Sequence, residues 1–248
     1  MNKLQITNYK QIRIFKILIS VLFVFWCLGF GASAYAQSVD ILWQGNTYVS
    51  PFYKGKSLWS RQSQIVFMAI PNGLRNRDSL VYRWIKNGTV LGSLSGPGKN
   101  TLTLTDTVLS RAQTIRVEIV AEDDYESSIL AQALVRLTPV SPMVAVYENN
   151  PIYGFLFQKE VSGNYRLKGE EVTFAAFPLF FTALDRTDPR LGYEWQTVGT
   201  QESSSSVTYR APEGLAGSSQ VSLRVSSATK IMQGSSKSFL VQFGNENE

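Results

Sequence analysis

Histidine is absent from the 248 residues of this chain, and cysteine occurs once, at Cys27. The first absence excludes any site that needs an imidazole as a general base or as a metal ligand. The second excludes a framework of disulfide bonds. The sequence therefore predicts no catalytic residue and no cofactor, in a fold that packing alone must stabilise.

Acidic residues are missing from the first 36 positions, which carry four of the 24 lysines and arginines. The apolar run that follows these charges ends in small residues, with Ala34 and Ala36 at alternate positions before Gln37. This layout is typical of a secretory signal peptide spanning residues 1–36, cleaved so that Gln37 becomes the N-terminus.

An uncleaved membrane anchor is the alternative interpretation of the same segment. No charged residue occurs from Ile17 to Val39, a span long enough to cross a hydrocarbon core of ~30 Å as a helix. Because the positive charges precede this span, they stay in the cytoplasm under either interpretation, and the rest of the chain is exported.

A surplus of positive charge is also missing once the first 36 residues are set aside. The remaining chain has 20 basic residues against 19 acidic ones. It contains no basic stripe of the kind that contacts a phosphate backbone, so the sequence predicts no nucleic-acid partner. Contact with a membrane is expected only through the N-terminal segment.

Long stretches with helical periodicity are absent after Gln37, and alternation of apolar and polar residues takes their place. Ile115, Val117 and Ile119 alternate with polar neighbours, and Val221 to Val225 follows the same pattern. A period of two is that of a half-buried strand. The predicted fold class is therefore all-β.

The sequence also repeats itself. The segment 65–71 matches 172–178, and Tyr82-Arg83-Trp84 matches Tyr193-Glu194-Trp195, at offsets of 107 and 111 residues. Upstream, Pro51-Phe52-Tyr53 matches Pro151-Ile152-Tyr153. A tandem duplication of one β module is indicated, with four extra residues in one loop of the second copy.

The boundary between the copies is predicted at residues 139–142, where Pro139 and Pro142 remove backbone donors and keep the chain extended. The expected organisation is an N-terminal signal or anchor (1–36), a first domain (37–138), this linker, and a second domain (143–248). A short linker stiffened by proline predicts a semi-rigid rod.

The stretch Tyr82-Arg83-Trp84-Ile85-Lys86-Asn87-Gly88 resembles the central strand and hairpin turn of bacterial immunoglobulin-like and PKD-like domains. The resemblance implies two tandem antiparallel β-sandwiches in which Tyr82, Trp84, Tyr193 and Trp195 are core residues. The cysteines of antibody domains and the Gly-Asp-Gly of PKD domains are both missing, which favours the general immunoglobulin-like label. Such modules act as spacers, adhesins or accessory domains, and the resemblance implies a protein or glycan partner at the cell surface.

One acidic run is a candidate metal site. Glu122, Asp123, Asp124 and Glu126 lie between two predicted strands, and their carboxylates offer oxygen ligands of the kind that calcium prefers. The alternative is a solvated hairpin turn, which the missing glycine spacing of a calcium loop favours.

Aromatic residues cluster near the start of the first domain, where they would stack on sugar rings or dock a partner: Trp43, Tyr48, Tyr53 and Trp59. The alternative is a core or edge-strand role, because the second copy has aromatic residues in a comparable region. A glycan-active enzyme would need two nearby carboxylates, for which Asp185, Asp188 and Glu194 are the first candidates.

The sequence thus predicts a non-catalytic, exported structural or adhesive module of the cell surface. The alternative is a membrane-anchored accessory component of an envelope assembly, such as a pilus or a secretion apparatus. Retention of the span from Ile17 to Val39 would favour the second interpretation.

Overall fold

The computed structural model describes residues 37–74, 79–121, 128–197 and 199–244. The predicted signal segment with Ala34 and Ala36, and the acidic run Glu122, Asp123, Asp124 and Glu126, lie outside the described residues. Residues Ser38–Glu248 form one compact unit. Its described part is built of β-strands, as the alternation predicts, with a 3-10 turn at Gly92–Leu94.

The first half of this unit contains two sheets, of order β1-β2-β6 and β4-β3-β7-β8, with the short β5 also paired to β3. Every strand pair in them is antiparallel. The strands are β1 (Ser38–Gly45), β2 (Gln64–Asn72), β3 (Val81–Lys86), β4 (Thr89–Val90), β5 (Gly96–Pro97), β6 (Thr101–Thr105), β7 (Gln113–Val120) and β8 (Ile129–Leu137).

The second half repeats this arrangement, with sheets of order β10-β9-β12-β15 and β11-β17-β16-β13-β14. All pairs are antiparallel except β11 with β17. The strands are β9 (Met143–Asn150), β10 (Gly154–Phe155), β11 (Asn164–Arg166), β12 (Glu171–Leu179), β13 (Leu191–Thr197), β14 (Thr200–Glu202), β15 (Ser206–Arg210), β16 (Gly217–Ser227) and β17 (Gly234–Phe243).

The strand order is that of immunoglobulin-like domains. In each half the first, second and fourth of the six long strands share one sheet, while the third, fifth and sixth share the other. The repeated segments fall on equivalent strands, since 65–71 lies in β2 and 172–178 in β12. Both tyrosine–tryptophan pairs lie on the third long strand of their half, β3 and β13.

Each half has its own apolar core between its two sheets. Trp84 and Trp195 are fully buried there, and Tyr82 and Tyr193 lie beside them. The indole Nε1 of Trp84 donates to the carbonyl of Lys99 at 2.9 Å, and that of Trp195 donates to Ser204 at 2.8 Å. Both rings are therefore buried without an unsatisfied donor.

The hairpin between β3 and β4 turns at Asn87 and Gly88, whose φ angles are 51° and 85°. Two consecutive positive φ angles define a type I′ turn, whose twist matches that of the flanking strands. Asparagine and glycine adopt this conformation at the least cost, which explains the dipeptide.

The connection between the halves is held by hydrogen bonds to the first half. The amide of Val140 donates to the carbonyl of Trp59 at 2.8 Å, and the amide of Arg61 donates to that of Val140 at 3.1 Å. These bonds form a short parallel bridge between Ser60 and Val140. This connection is thus held against the first half by backbone pairing.

Candidate functional site

Gln37, the predicted N-terminal residue after cleavage, is exposed and lies directly before β1. Within the described ranges, no group of three or more His, Cys, Asp or Glu side chains is placed to hold a metal ion. Nor do the described residues include a helix that is long and apolar enough to cross a membrane.

The carboxylate candidates of the second half have different surroundings. Asp188 is buried, and its oxygens accept hydrogen bonds from the backbone amides of Leu184 and Arg190 and from the Arg190 guanidinium. The Arg190 hydrogen bond lowers the pKa of the Asp188 carboxyl, with the two amides adding to the effect against burial. Asp188 therefore organises its loop, whereas Glu194 is exposed on β13.

The predicted aromatic cluster of the first half divides between two environments. Trp59 is buried in the first core, and Trp43 packs at its margin. Tyr53, by contrast, packs against residues of the second half, as does Phe52 beside it. Both belong to the segment Asn46–Leu58 between β1 and Trp59, which we call the docking loop.

The docking loop covers the outer face of β9 and β12, on the side of that sheet away from the second core. The ring of Phe52 lies 5.1 Å from that of Tyr147 and 5.8 Å from that of Phe177, and Tyr53 lies 5.7 Å from Phe180. As a result β12 is buried on both faces, which for a strand of an antiparallel sheet requires a covering element.

Backbone pairing anchors the docking loop at the end of β12. The amide of Phe180 donates to the carbonyl of Tyr48 at 2.7 Å, and the amide of Tyr48 donates to that of Phe181 at 2.8 Å. Phe180 has a φ angle of 64°, which is costly for a bulky side chain. The two hydrogen bonds and the burial of its ring hold it in this conformation.

Gln233 forms a second contact between the halves. This buried side chain donates from Nε2 to the carbonyl of Arg61 at 2.7 Å and to the hydroxyl of Thr182 at 2.8 Å. Its Oε1 accepts the amide of Thr182 at 2.8 Å. Nearby, the amide of Met232 donates to Oε1 of Gln62 at 2.7 Å. The halves are thus joined by satisfied buried polar groups as well as by apolar packing.

Arg186 closes one edge of the same apolar face. Its guanidinium lies 5.1 Å from the ring centre of Phe155 and 5.2 Å from that of Phe177, within cation–π range. It also donates to the carbonyls of Ala176 and Ser205. Burial lowers the pKa of Arg186, although the group stays charged at any physiological pH.

The corresponding face of the first half is open, and it is the strongest candidate for a functional site. Leu42 on β1 faces Met68 on β2, and they are 57% and 44% exposed. Together with the exposed Val66 they form a groove of about 540 Å³, which we call the apolar groove. Its lining comprises Ile41, Leu42, Trp43, Gln44, Gly45, Asn46, Lys56, Val66 and Met68.

One end of the apolar groove is shaped by a cation–π contact. The ammonium of Lys56, from the docking loop, lies 3.4 Å from the ring centre of Trp43. The contact places a positive charge at one end of a surface whose exposed large side chains are apolar. Trp43 was singled out in the sequence as a stacking residue, and in the structure one of its faces is occupied by this lysine.

Sequence reasoning singled out neither Leu42 nor Met68, because each occupies the position that alternation assigns to a solvent-facing side chain. The sequence did contain one sign of the groove, because the outward positions Leu42 and Met68 are apolar. The outward positions of β6, by contrast, are the threonines Thr101, Thr103 and Thr105.

No protein-family model and no curated protein sequence matches the chain. Among solved structures it is similar to three N-terminal domains of the highly immunogenic outer capsid protein Hoc of bacteriophage RB49, with a TM-score of 0.41 and 14% identity over 84% of this chain and 59% of that one. It is also similar to Sidekick-1 immunoglobulin domains 1-5, with a TM-score of 0.26 and 11% identity over 87% of this chain and 61% of that one. A third likeness is to the CFA/I enterotoxigenic E. coli adhesin CfaE, with a TM-score of 0.23 and 6% identity over 88% of this chain and 89% of that one.

The chain spans about three fifths of the first two of these structures. At TM-scores below 0.5, such likenesses settle neither the fold nor the function. The architecture rests instead on the strand pairings of the chain itself.

Proposed function

We propose that the protein is a non-catalytic, exported module of the cell surface, built of two tandem immunoglobulin-like β-sandwiches, which adheres to another protein through the apolar groove. In this proposal residues 1–36 direct export, residues 37–138 and 143–248 are the two domains, and residues 139–142 link them.

The observation that carries this proposal is the exposure of Leu42, Val66 and Met68 on one sheet face. Large apolar side chains clustered on a surface mark sites of protein contact, because leaving them in water forgoes the free energy of burying them. A protein partner accounts for the groove better than a glycan, since its exposed apolar side chains are aliphatic and one face of the Trp43 ring is taken by Lys56.

Adhesion is tested on intact cells that display the chain, by their clumping and by labelling of the protein with a reagent that does not enter cells. The variant Leu42→Asp with Met68→Asp is expected to stay surface-labelled and to lose clumping, because two carboxylates cannot be buried unpaired in a contact. Leu134→Asp on β8, where the native side chain is 62% exposed, is the matched control and is expected to clump like the unchanged chain.

Equal clumping by all three proteins, or a chain that no surface reagent labels, would overturn the proposal. The intact mass of the labelled protein shows whether the N-terminal segment has been cleaved or retained. A chain that begins at Gln37 is a released or loosely held module, whereas a chain that keeps the span from Ile17 to Val39 in the membrane fraction is an anchored component of the envelope.

A further inference from the structure

The apolar groove has a counterpart inside the same chain. In the repeat, Phe67 of β2 corresponds to Phe174 of β12, and these face Trp43 and Glu148 on the neighbouring strands. The next pair along each ladder is Leu42 with Met68 in the first half and Tyr147 with Ala175 in the second. These two pairs are therefore equivalent.

Two residues further along each strand, Asp40 pairs with Ile70 in the first half, and Ala145 pairs with Phe177 at the equivalent position of the second half. The two faces differ in what covers them. Ala145 and Phe177 are only 3% and 2% exposed beneath the docking loop. One face of the duplicated module is therefore covered by the preceding module together with its own Phe155 and Phe157. Among the described residues, the equivalent face of the first module stays exposed.

The element that occupies the covered face is also duplicated. The tip of the docking loop is Pro51-Phe52-Tyr53, where the amide of Tyr53 donates to the carbonyl of Ser50. The matching residues of the second half are Pro151-Ile152-Tyr153.

This second tip is also a turn, held by the side chain of Asn150, which accepts the amides of Ile152 and Tyr153. Ile152 is 81% exposed and Tyr153 is 78% exposed. Within the described part of the chain, the apolar tip of the second half and the apolar groove of the first half are thus both exposed.

We propose that the groove receives the Ile152–Tyr153 tip of a second copy of this chain, in the manner in which Phe52 and Tyr53 cover β9 and β12 within one copy. This deepens the proposed function by naming the occupant of the same groove. In the joint, Ile152 of one copy lies over Leu42 of the next, as Phe52 lies 5.1 Å from Tyr147 within the chain.

The joint between copies is weaker than the contact within one. The docking loop has a five-residue extension, Asn46–Ser50, between β1 and its tip, and Tyr48 in this extension pairs with the backbone of Phe180 and Phe181. The second half has no such extension, because Asn150 ends β9 directly before Pro151. The joint between copies is therefore formed by the tip and the groove alone. We expect such a weak joint to form only where the local concentration of the protein is high, as on a crowded cell surface.

Because the two surfaces of this joint are different, the contact is heterologous. A heterologous contact that does not close into a ring produces an open chain of copies. The protein would then extend by adding modules end to end, each tip occupying the groove of the next copy.

The test uses the exported protein with the N-terminus that its mass assigns, in sedimentation velocity over rising concentration. The unchanged chain is expected to give a series of increasing species. A groove variant, Leu42→Asp with Met68→Asp, and a tip variant, Ile152→Asp with Tyr153→Asp, are each expected to remain monomeric. All four side chains are exposed, so the variants are expected to keep the thermal unfolding midpoint of the unchanged chain.

A mixture of the two variants provides the decisive outcome. One copy then has only an intact tip and the other only an intact groove, so exactly one joint can form, and the mixture is expected to stop at a dimer. Dimers of the tip variant alone would show groove-to-groove pairing and overturn the proposal. An unchanged chain that stays monomeric into the millimolar range would also overturn it.

A disulfide test reports the register of the joint directly. In a Cys27→Ser background, Ile152→Cys protein mixed with Leu42→Cys protein is expected to give an oxidised heterodimer, whereas Leu134→Cys in place of Leu42→Cys is expected to give none. Equal cross-linking of both would contradict the predicted register.

The two proposals fail in different ways. Cells that lose clumping with the groove variant, together with a purified chain that is always monomeric, would keep surface adhesion and overturn self-assembly. A purified chain that assembles as described but is not labelled on cells would keep self-assembly and overturn surface adhesion.

Discussion

At the residue scale, the buried Asp188 shows how a charged group contributes to stability without taking part in chemistry. Its oxygens accept hydrogen bonds from two backbone amides and from the Arg190 side chain, and its side chain is 2% exposed. An asparagine at this position keeps one acceptor oxygen, so one of the two amides, that of Leu184 or that of Arg190, loses its partner inside the loop that precedes β13. The cost of an unpaired buried donor and of the lost ion pair is about 2 kcal/mol.

We therefore expect Asp188→Asn to lower the free energy of unfolding by about 2 kcal/mol at pH 7, measured by urea denaturation. The pKa of Asp188 is lowered in the folded state, so its contribution is complete above the unfolded value of about 3.9 and is lost as the pH falls below it. The difference between the two proteins should accordingly shrink in acid.

Glu171→Gln is the control for this experiment. Glu171 pairs with Arg210 at 2.8 Å, but both side chains are largely exposed, so the substitution is expected to change stability by less than about 0.5 kcal/mol. A loss at Asp188 that persisted undiminished at low pH would mean that the contribution is steric and not ionic.

At the scale of elements, the two loop tips give a matched comparison of one sequence position in two environments. Phe52 packs on Tyr147 and Phe177, whereas Ile152 at the equivalent position of the second half is 81% exposed. We expect Phe52→Ala to lower the free energy of unfolding by about 2 kcal/mol, through lost burial and an incompletely closed cavity.

Ile152→Ala is expected to change the same quantity by less than about 0.5 kcal/mol in dilute solution, where copies do not meet. Urea denaturation of both variants measures the difference. Similar losses for the two would show that the docking loop does not stabilise the second half.

The strands themselves were within reach of the sequence, because their signals are local. Alternation marks β7, β16 and β17, the internal repeat marks β2 with β12 and β3 with β13, and Asn87-Gly88 predicts the turn that the structure contains. The apolar groove was not predicted, because an exposed apolar residue is recognisable only once its neighbours across the sheet are known.

The docking loop was out of reach for a related reason. The segment Asn46–Leu58 has no strand or helix period, and the residues that it covers lie about one hundred positions further along the chain. The aromatic residues within it were compatible with a docking role or with a core or edge-strand role, and the surface that they cover, on β9 and β12, is defined only by the three-dimensional fold.

At the scale of the whole molecule, the contact between the halves decides whether they unfold together. It combines the apolar packing of Phe52 and Tyr53 with the buried hydrogen bonds of Gln233. When such a contact contributes several kcal/mol, one half cannot unfold without destabilising the other, and equilibrium unfolding approaches a single cooperative transition.

We expect calorimetry of the unchanged chain to show one transition, and the variant Phe52→Ala with Gln233→Ala to show two, because both parts of the contact are then removed while each half keeps its own core. Ile152→Ala with Gln220→Ala, two exposed positions of the second half, is the matched control and should keep one transition. Two separate transitions in the unchanged chain would mean that the halves behave as independent modules. The proposed joint between copies is based on this contact between the halves. A contact too weak to couple their unfolding would remove the basis for that joint.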